Sequence, residues 1–254
     1  MILSHKHRFV FIKGLKVAGT SIEIALAQLC GPEDIITPIT PADERYRLGT
    51  RGEPRNYAGD RNVEKEYLAA VKNGSPQELE NIRQPKTPFK NHMPFAEVLS
   101  KVPEADCYQL IFAERSPYAK VMSFANWERH QHSYKRGERL GRCAGHVAEA
   151  VDAIISNGRI RQFRNIERYR DRDGNIRAEH WRYELLADEV RAFFARCGEK
   201  AVDIVHAKEG LRSDSLDVRA ALRRDQIGLI NELFSDEFEA FGYPKTALLK
   251  GHGS

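Results

Sequence analysis

A short apolar run, a loop of small residues and an amphipathic helix follow one another near the start of the chain. Residues 9–12, FVFI, suit a buried strand, and Gly14 and Gly19 enclose a loop that breaks the apolar pattern. From Thr20 onward the apolar residues recur at helical spacing. This order predicts an anion-binding turn, because the first turn of a helix presents unpaired N–H groups and the positive end of its dipole.

The loop departs from the nucleoside-triphosphate pattern G-x-x-x-x-G-K-[ST] at one position. Gly14 and Gly19 have the required spacing, but position 20 is Thr where the pattern has Lys. The loop has its lysine earlier, at position 16, so the ammonium of Lys16 would reach an anion from a different side. The loop therefore predicts a phosphate or sulfate cradle, and a P-loop nucleotide or small-molecule kinase remains as the alternative enzyme.

Two stretches resemble the sulfotransferases. Residues 16–21, KVAGTS, resemble the 5′-phosphosulfate loop of that family, roughly K-[TV]-[GA]-[GST]-T-S. Residues 115–124, RSPYAKVMSF, resemble its 3′-phosphate motif, roughly R-[DS]-P-[VY]-x-R-x-x-S-[AF]. The resemblance implies a three-layer α/β sandwich with a central parallel sheet, similar to that of P-loop nucleotide-binding proteins. It also implies transfer of a sulfuryl group from 3′-phosphoadenosine 5′-phosphosulfate (PAPS), as co-substrate, to an acceptor hydroxyl.

The resemblance assigns the cofactor-binding residues. Those expected to hold the 5′-phosphosulfate are Lys16, Gly19, Thr20 and Ser21, with Lys16 also catalytic because it neutralises charge on the breaking S–O bond. Arg115 and Ser123 are expected to hold the 3′-phosphate. Arg115 ends a predicted strand and can fork two N–H groups onto a phosphate, and Ser123 offers a hydroxyl two helical turns on.

His92 is the predicted catalytic base. Residues 92–98, HMPFAEV, resemble an H-x-P-x-x-E segment that lies between the two cofactor motifs in many sulfotransferases. An imidazole, with an unperturbed pKa of about 6.5, suits removal of a proton from an attacking hydroxyl at neutral pH. Glu23 and Glu97 are reserve candidates, since some sulfotransferases use a carboxylate, although both are otherwise expected on solvated helix faces.

The rest of the chain favours one sulfotransferase domain over residues 1–254. Strand and helix patterns alternate, which predicts a parallel sheet covered on both faces. Residues 41–91 lack a clear core strand and predict an insertion of loops and helices that contributes to the acceptor site. Further basic residues, His206, Lys208 and Arg212, stand where the family has a loop over the adenosine.

Composition indicates the charge of the ligand and the cellular location, but it does not identify the acceptor. The net charge of +4 suits an anionic ligand, and the four cysteines form no metal-binding pattern, so no metal is expected. The chain has no signal-like start and no apolar run that could span a bilayer, which predicts a soluble cytoplasmic protein without a membrane partner. A glycan, a lipid and a small metabolite all remain possible acceptors, and the oligomeric state is open.

A basic segment supports a non-enzymatic alternative. Residues 159–172 contain six arginines with interleaved Phe163 and Tyr169, a composition found in nucleic-acid-binding surfaces. Acidic residues in and beside the segment, Glu167, Asp171 and Asp173, dilute its charge, so a solvated face is an equal interpretation and no nucleic-acid partner is expected.

Overall fold

The structure is a computed structural model that describes residues 1–136, 144–177, 180–204 and 217–247. The strands are β1 (Ile2–Ser4), β2 (Phe9–Phe11), β3 (Ile35–Ile36), β4 (Gln109–Ile111), β5 (Ala113–Glu114) and β6 (Trp181–Arg182). The helices are α1 (Gly19–Leu26), α2 (Pro41–Glu44), α3 (Arg61–Asn73), α4 (Pro76–Leu79), α5 (Phe95–Lys101), α6 (Pro117–Arg136), α7 (Ala144–Ser156), α8 (Ile166–Tyr169), α9 (Leu186–Arg196), α10 (Val218–Ala221), α11 (Arg224–Leu233) and α12 (Ser235–Ala240). The predicted α/β class is confirmed.

The chain divides into two compact units, and the first contains every strand of the described residues. It comprises residues 1–14, 18–114 and 167–207. Its larger sheet has the order β3-β1-β2-β4, in which β2 and β4 are parallel, while β1 is antiparallel to both of its neighbours. A separate pair, β5 and β6, is parallel. The sheet is therefore mixed where a parallel sheet was expected, and the three-layer sandwich stays a prediction.

The mixed pairing comes from the first residues of the chain. All three residues of β1 are buried, and Ile2 stands opposite Phe11 while Ser4 stands opposite Phe9. The turn between the strands includes Arg8 in the left-handed region, with φ of 54°. A hairpin closed by so short a turn must be antiparallel, since parallel strands need a longer crossover.

The first unit is built around β2 and α1. The apolar face of α1 packs with the strands and with α9. Phe193 on α9 meets Phe9 edge-to-face, with ring centroids 5.2 Å apart, and it meets Trp181 in the same way at 5.6 Å. A helix is thus present after the loop as predicted, but seven of its eight residues are buried, so it is covered on nearly all sides where an amphipathic helix was expected.

The second unit is helical over the residues that the structure describes. It comprises residues 15–17, 115–166 and 208–254. Helix α6 packs on α7 and on α11. Phe124 contacts Phe163 with ring centroids 4.0 Å apart, and Tyr118 contacts Phe238 at 5.0 Å. These contacts hold the helix that begins at Pro117, directly after the predicted phosphate-binding arginine.

One predicted strand is shorter than expected. The pattern of residues 176–183 predicts a strand, but among its described residues only Trp181–Arg182 pairs in a sheet. Just before it, the carboxylate of Asp171 accepts hydrogen bonds from the N–H groups of Asp173 and Asn175, which closes the turn predicted at residues 173–175. Within residues 41–91 the structure has α2, α3, α4 and an isolated bridge from Arg55 to Ile36.

Candidate functional site

The first turn of α1 follows a loop with two left-handed residues. Lys16 has φ of 62° and Ala18, the residue before the helix, has φ of 58°. No side chain caps this end of α1, so the N–H groups of Gly19, Thr20 and Ser21 face the loop as the unpaired donors of a helix start. A loop followed by a helix start is therefore present where the anion-binding turn was predicted, and anion binding itself stays a prediction.

Lys13 organises this turn, and the sequence patterns did not single it out. Its ammonium donates to Oγ1 of Thr20 at 3.0 Å and to Oε2 of Glu23 at 2.6 Å. Its stem crosses Gly19, where a Cβ would lie 2.5 Å from Lys13 Cγ. Glycine at position 19 thus leaves room for the lysine stem, and Thr20 is held by a side chain from the end of β2.

Glu23 is buried, and its prediction as a solvated helix-face residue is wrong. Its carboxylate accepts from Lys13 and from the α-amino group of Met1. Burial alone raises the pKa of Glu23, but the charges of Lys13 and Met1 outweigh it and lower the pKa to about 2. A carboxylate so acidic and so fully paired is a poor proton acceptor. Glu97, the other reserve, forms an ion pair with Lys90 at 3.5 Å on a more exposed face.

His92 lies against the same lysine. Its Nδ1 is 3.0 Å from the carbonyl oxygen of Lys13. Burial, and then the charge of Lys13, lowers the pKa of His92 to about 3, so the ring is neutral at pH 7. Because a carbonyl oxygen only accepts, the single ring proton sits on Nδ1, and Nε2 keeps its lone pair. This tautomer is the one that can take a proton at Nε2.

The backbone of His92 is held on both sides. The residue is in the left-handed region, with φ of 58°. Its N–H donates to Oδ1 of Asn91 at 2.9 Å, and its carbonyl oxygen accepts from Nη1 of Arg168 at 3.0 Å. The arginine belongs to the basic segment and to the first unit. Sequence patterns gave no signal for this contact, since it joins residues 76 positions apart.

Within the second unit, one residue from each predicted cofactor motif is in contact with the other. Arg115 is buried and its Nη1 lies 3.4 Å from the carbonyl oxygen of Lys16. The ammonium of Lys16 stands over the indole ring of Trp127, 5.2 Å from its centroid. Ser123 is half-buried on α6, two turns after Arg115. Lys16 and Arg115 are thus neighbours, although 99 positions separate them.

Asn165 fixes the loop beside Lys16. Its Oδ1 accepts from the N–H of Leu15 at 2.8 Å, and its Nδ2 donates to the carbonyl oxygen of Leu15 at 3.1 Å. The backbone N–H of Asn165 donates in turn to the buried carboxylate of Glu237, which also accepts from Lys120. Lys120 stands where the family motif often has arginine, but its ammonium is fully buried in this ion pair.

Three of the six arginines of the basic segment form ion pairs: Arg159 with Glu128, Arg164 with Asp236 and, within the segment, Arg170 with Glu167. An arginine that is paired with a carboxylate contributes less to binding the phosphate backbone of a nucleic acid. This favours the interpretation of residues 159–172 as a structural segment. The later basic residues His206, Lys208 and Arg212 lie outside the described residues.

Neither a cluster of metal ligands nor a membrane-spanning helix is present in the described residues. In the described part of the chain, no three His, Cys, Asp or Glu side chains come together in a way that could hold a metal ion. None of its helices combines the length and the apolar character that crossing a bilayer requires.

Comparison with protein-family models finds no match to the chain. Searches of curated proteins and of solved structures likewise find no match.

Proposed function

We propose that the protein is a PAPS-dependent sulfotransferase that moves a sulfuryl group to an acceptor hydroxyl. The observation that carries the proposal is the double contact of Lys13. Its carbonyl oxygen holds Nδ1 of His92, and its ammonium holds Thr20 in the first turn of α1. A single residue therefore ties the proposed base to the proposed phosphosulfate loop, within one compact unit.

The residues fit the charges of the co-substrate. The N–H groups of Gly19, Thr20 and Ser21 suit the oxygens of a phosphosulfate, as at other helix starts that bind anions. Lys16 supplies a positive charge in the same loop. Arg115, which donates to the carbonyl oxygen of Lys16, supplies a second positive charge. The guanidinium of Arg115 and the hydroxyl of Ser123 would hold the 3′-phosphate, which ATP lacks.

In the proposed reaction the acceptor oxygen attacks sulfur in line with the bond that breaks. Nε2 of His92 takes the hydroxyl proton as the new S–O bond forms. The old S–O bond breaks, and its electron pair goes to the phosphate oxygen, where Lys16 offsets the growing charge. The products are the sulfated acceptor and adenosine 3′,5′-bisphosphate. Neutral His92 carries its proton on Nδ1 and leaves Nε2 to accept the new one, although its low pKa makes it a weak base in the absence of the anionic co-substrate.

Calorimetric binding of adenosine 3′,5′-bisphosphate tests the proposal. We expect tight binding of the bisphosphate, weaker binding of ATP with magnesium, and a large loss of bisphosphate affinity in Arg115→Ala. The control is Arg223→Ala, an arginine of the same unit whose partners are Asp152 and Asp225. It should leave binding unchanged.

The same experiment separates the alternatives. Preference for ATP over the bisphosphate would contradict the sulfotransferase and favour the kinase. Binding of neither nucleotide would also contradict it, and titration with single-stranded RNA and DNA at rising salt would then test the basic segment.

A further inference from the structure

The backbone of His92 needs support from outside its own segment. A left-handed φ, here 58°, is uncommon for residues other than glycine and persists only where neighbouring groups hold it. Asn91 holds the N–H of His92, and Lys13 holds its ring. Neither contact restrains the carbonyl oxygen of His92, whose direction sets the left-handed turn.

Arg168 supplies the missing restraint. Its Nη1 donates to the carbonyl oxygen of His92 at 3.0 Å, from helix α8, whose position in the chain is far from the His92 segment. The Nε atom of Arg168 is buried and, among the described residues, has no hydrogen-bond partner. No carboxylate of those residues lies within ion-pair distance of Arg168, whereas its neighbours Arg164 and Arg170 both have one.

This difference matters because an arginine placed for stability alone gains most from a carboxylate. Arg168, which has no such carboxylate among the described residues, directs a donor at the backbone of a strained histidine; its unsatisfied Nε is shared with Arg164 and does not distinguish it. A charged donor on a carbonyl oxygen is also a stronger restraint than a neutral one. The arrangement is thus directed at the orientation of His92.

We propose that Arg168 is a positioning residue that fixes the backbone of His92, and through it the Nδ1–H tautomer with Nε2 available as base. The catalytic part of this inference rests on the proposed function. The structural part does not, because the contact among Arg168, His92 and Lys13 exists without any ligand.

Nitrogen-15 NMR of histidine tests the structural part in the ligand-free protein. In the wild type, long-range correlations from the His92 ring should show one neutral tautomer with the proton on Nδ1. Arg168→Met should give a mixture of tautomers with exchange-broadened signals, while Arg168→Lys, which keeps a cationic donor, should restore most of the wild-type pattern. The matched control is Arg170→Met, from the same basic segment.

A single Nδ1–H tautomer in Arg168→Met, indistinguishable from the wild type, would overturn the proposal. So would an equal loss of the tautomer in Arg170→Met, because the effect would then belong to the whole segment. Thermal unfolding of each variant shows whether it is folded. If Arg168→Met does not fold, Arg168→Gln, which keeps a polar but shorter and uncharged side chain, is measured in the same way with the same two outcomes.

A second readout addresses catalysis once an acceptor is in hand. A displaced base slows the chemical step by about 100-fold while leaving nucleotide affinity unchanged. We expect that loss in kcat for Arg168→Met, with wild-type binding of adenosine 3′,5′-bisphosphate and recovery in Arg168→Lys. An unchanged kcat would refute the positioning role. Absence of bisphosphate binding in the wild type would instead refute the proposed function and leave the NMR result standing.

Discussion

The ammonium of Lys13 lies 2.6 Å from Oε2 of Glu23, and both side chains are buried. This ion pair connects the end of β2 with the middle of α1. Each charge offsets part of the cost of burying the other, and the ammonium also reaches Thr20. The pair therefore sets the position of the proposed anion-binding turn as well as contributing to stability.

Replacing Glu23 by Gln should strongly destabilise the fold. The buried ammonium of Lys13 would lose its counter-charge, and breaking a buried pair in this way costs about 3–5 kcal/mol. Urea unfolding measures the change in the free energy of unfolding. Glu97→Gln, which removes the exposed partner of Lys90, should cost at most about 1 kcal/mol. Equal effects of the two substitutions would contradict the role given to Glu23.

His92 should make stability depend on pH in the acidic range. Burial and then Lys13 lower its pKa from 6.5 to about 3 in the folded protein. Between these values the unfolded chain binds a proton at His92 that the folded chain does not, so stability falls as pH falls. Above pH 6.5 the contribution is fully present.

Comparison with His92→Asn isolates this contribution. The wild type should lose more unfolding free energy than the variant between about pH 7 and about pH 4, measured by urea unfolding. Parallel pH profiles of the two proteins would show that His92 titrates normally in the folded state.

Asn165→Ala should reduce the order of the loop that contains Leu15 and Lys16. Two hydrogen bonds to the backbone of Leu15 would be lost, which costs about 2 kcal/mol in unfolding free energy. Adenosine 3′,5′-bisphosphate should bind about tenfold more weakly, because part of its binding energy must then order the loop. Urea unfolding and calorimetry measure the two effects.

The matched control is Asn157→Ala, whose side chain accepts from the N–H of Arg159 on an exposed face. It should change neither quantity appreciably. If Asn165→Ala lowered stability and left nucleotide affinity intact, the loop would not depend on this contact for binding.

Lys16→Met should weaken nucleotide binding without unfolding the protein. A charge-assisted hydrogen bond is worth about 1.5–3 kcal/mol, which corresponds to about 10- to 100-fold in affinity. Calorimetry with adenosine 3′,5′-bisphosphate gives the loss. Lys245→Met serves as control, because Lys245 also stands over an aromatic ring, 5.9 Å from the centroid of Phe238. A similar loss in both variants would rule out a specific role for Lys16.

The sequence predicted best those elements whose apolar residues recur at a regular spacing. Helix α1 follows its apolar spacing, and the apolar spacing of residues 62–72 with Gly74 after it likewise predicts helix α3 and its end. The hairpin of β1 was missed because three apolar residues at the start of a chain carry no period of their own. Its antiparallel pairing then changed the sheet from parallel to mixed.

Residues of the candidate site were predictable from the sequence only where they lie within short motifs. The contact between Lys16 and Arg115 joins two stretches that the motifs had already marked. Lys13, Asn165 and Arg168 were not marked, because each acts through a partner distant in sequence or through a backbone atom. Glu23 was misjudged for a related reason: helical spacing gives its face, but only the tertiary fold shows that Lys13 covers it.

The hydrogen bonds between Leu15 and Asn165 also bear on how the protein is made. The two residues are 150 positions apart, and Glu237, which holds Asn165, comes later still. On the ribosome, Leu15 emerges long before either partner has been translated. Contacts of such long range form late, after the local helices. The proposed nucleotide site is therefore complete only near the end of synthesis, and shorter nascent chains should not be retained on an adenosine bisphosphate resin.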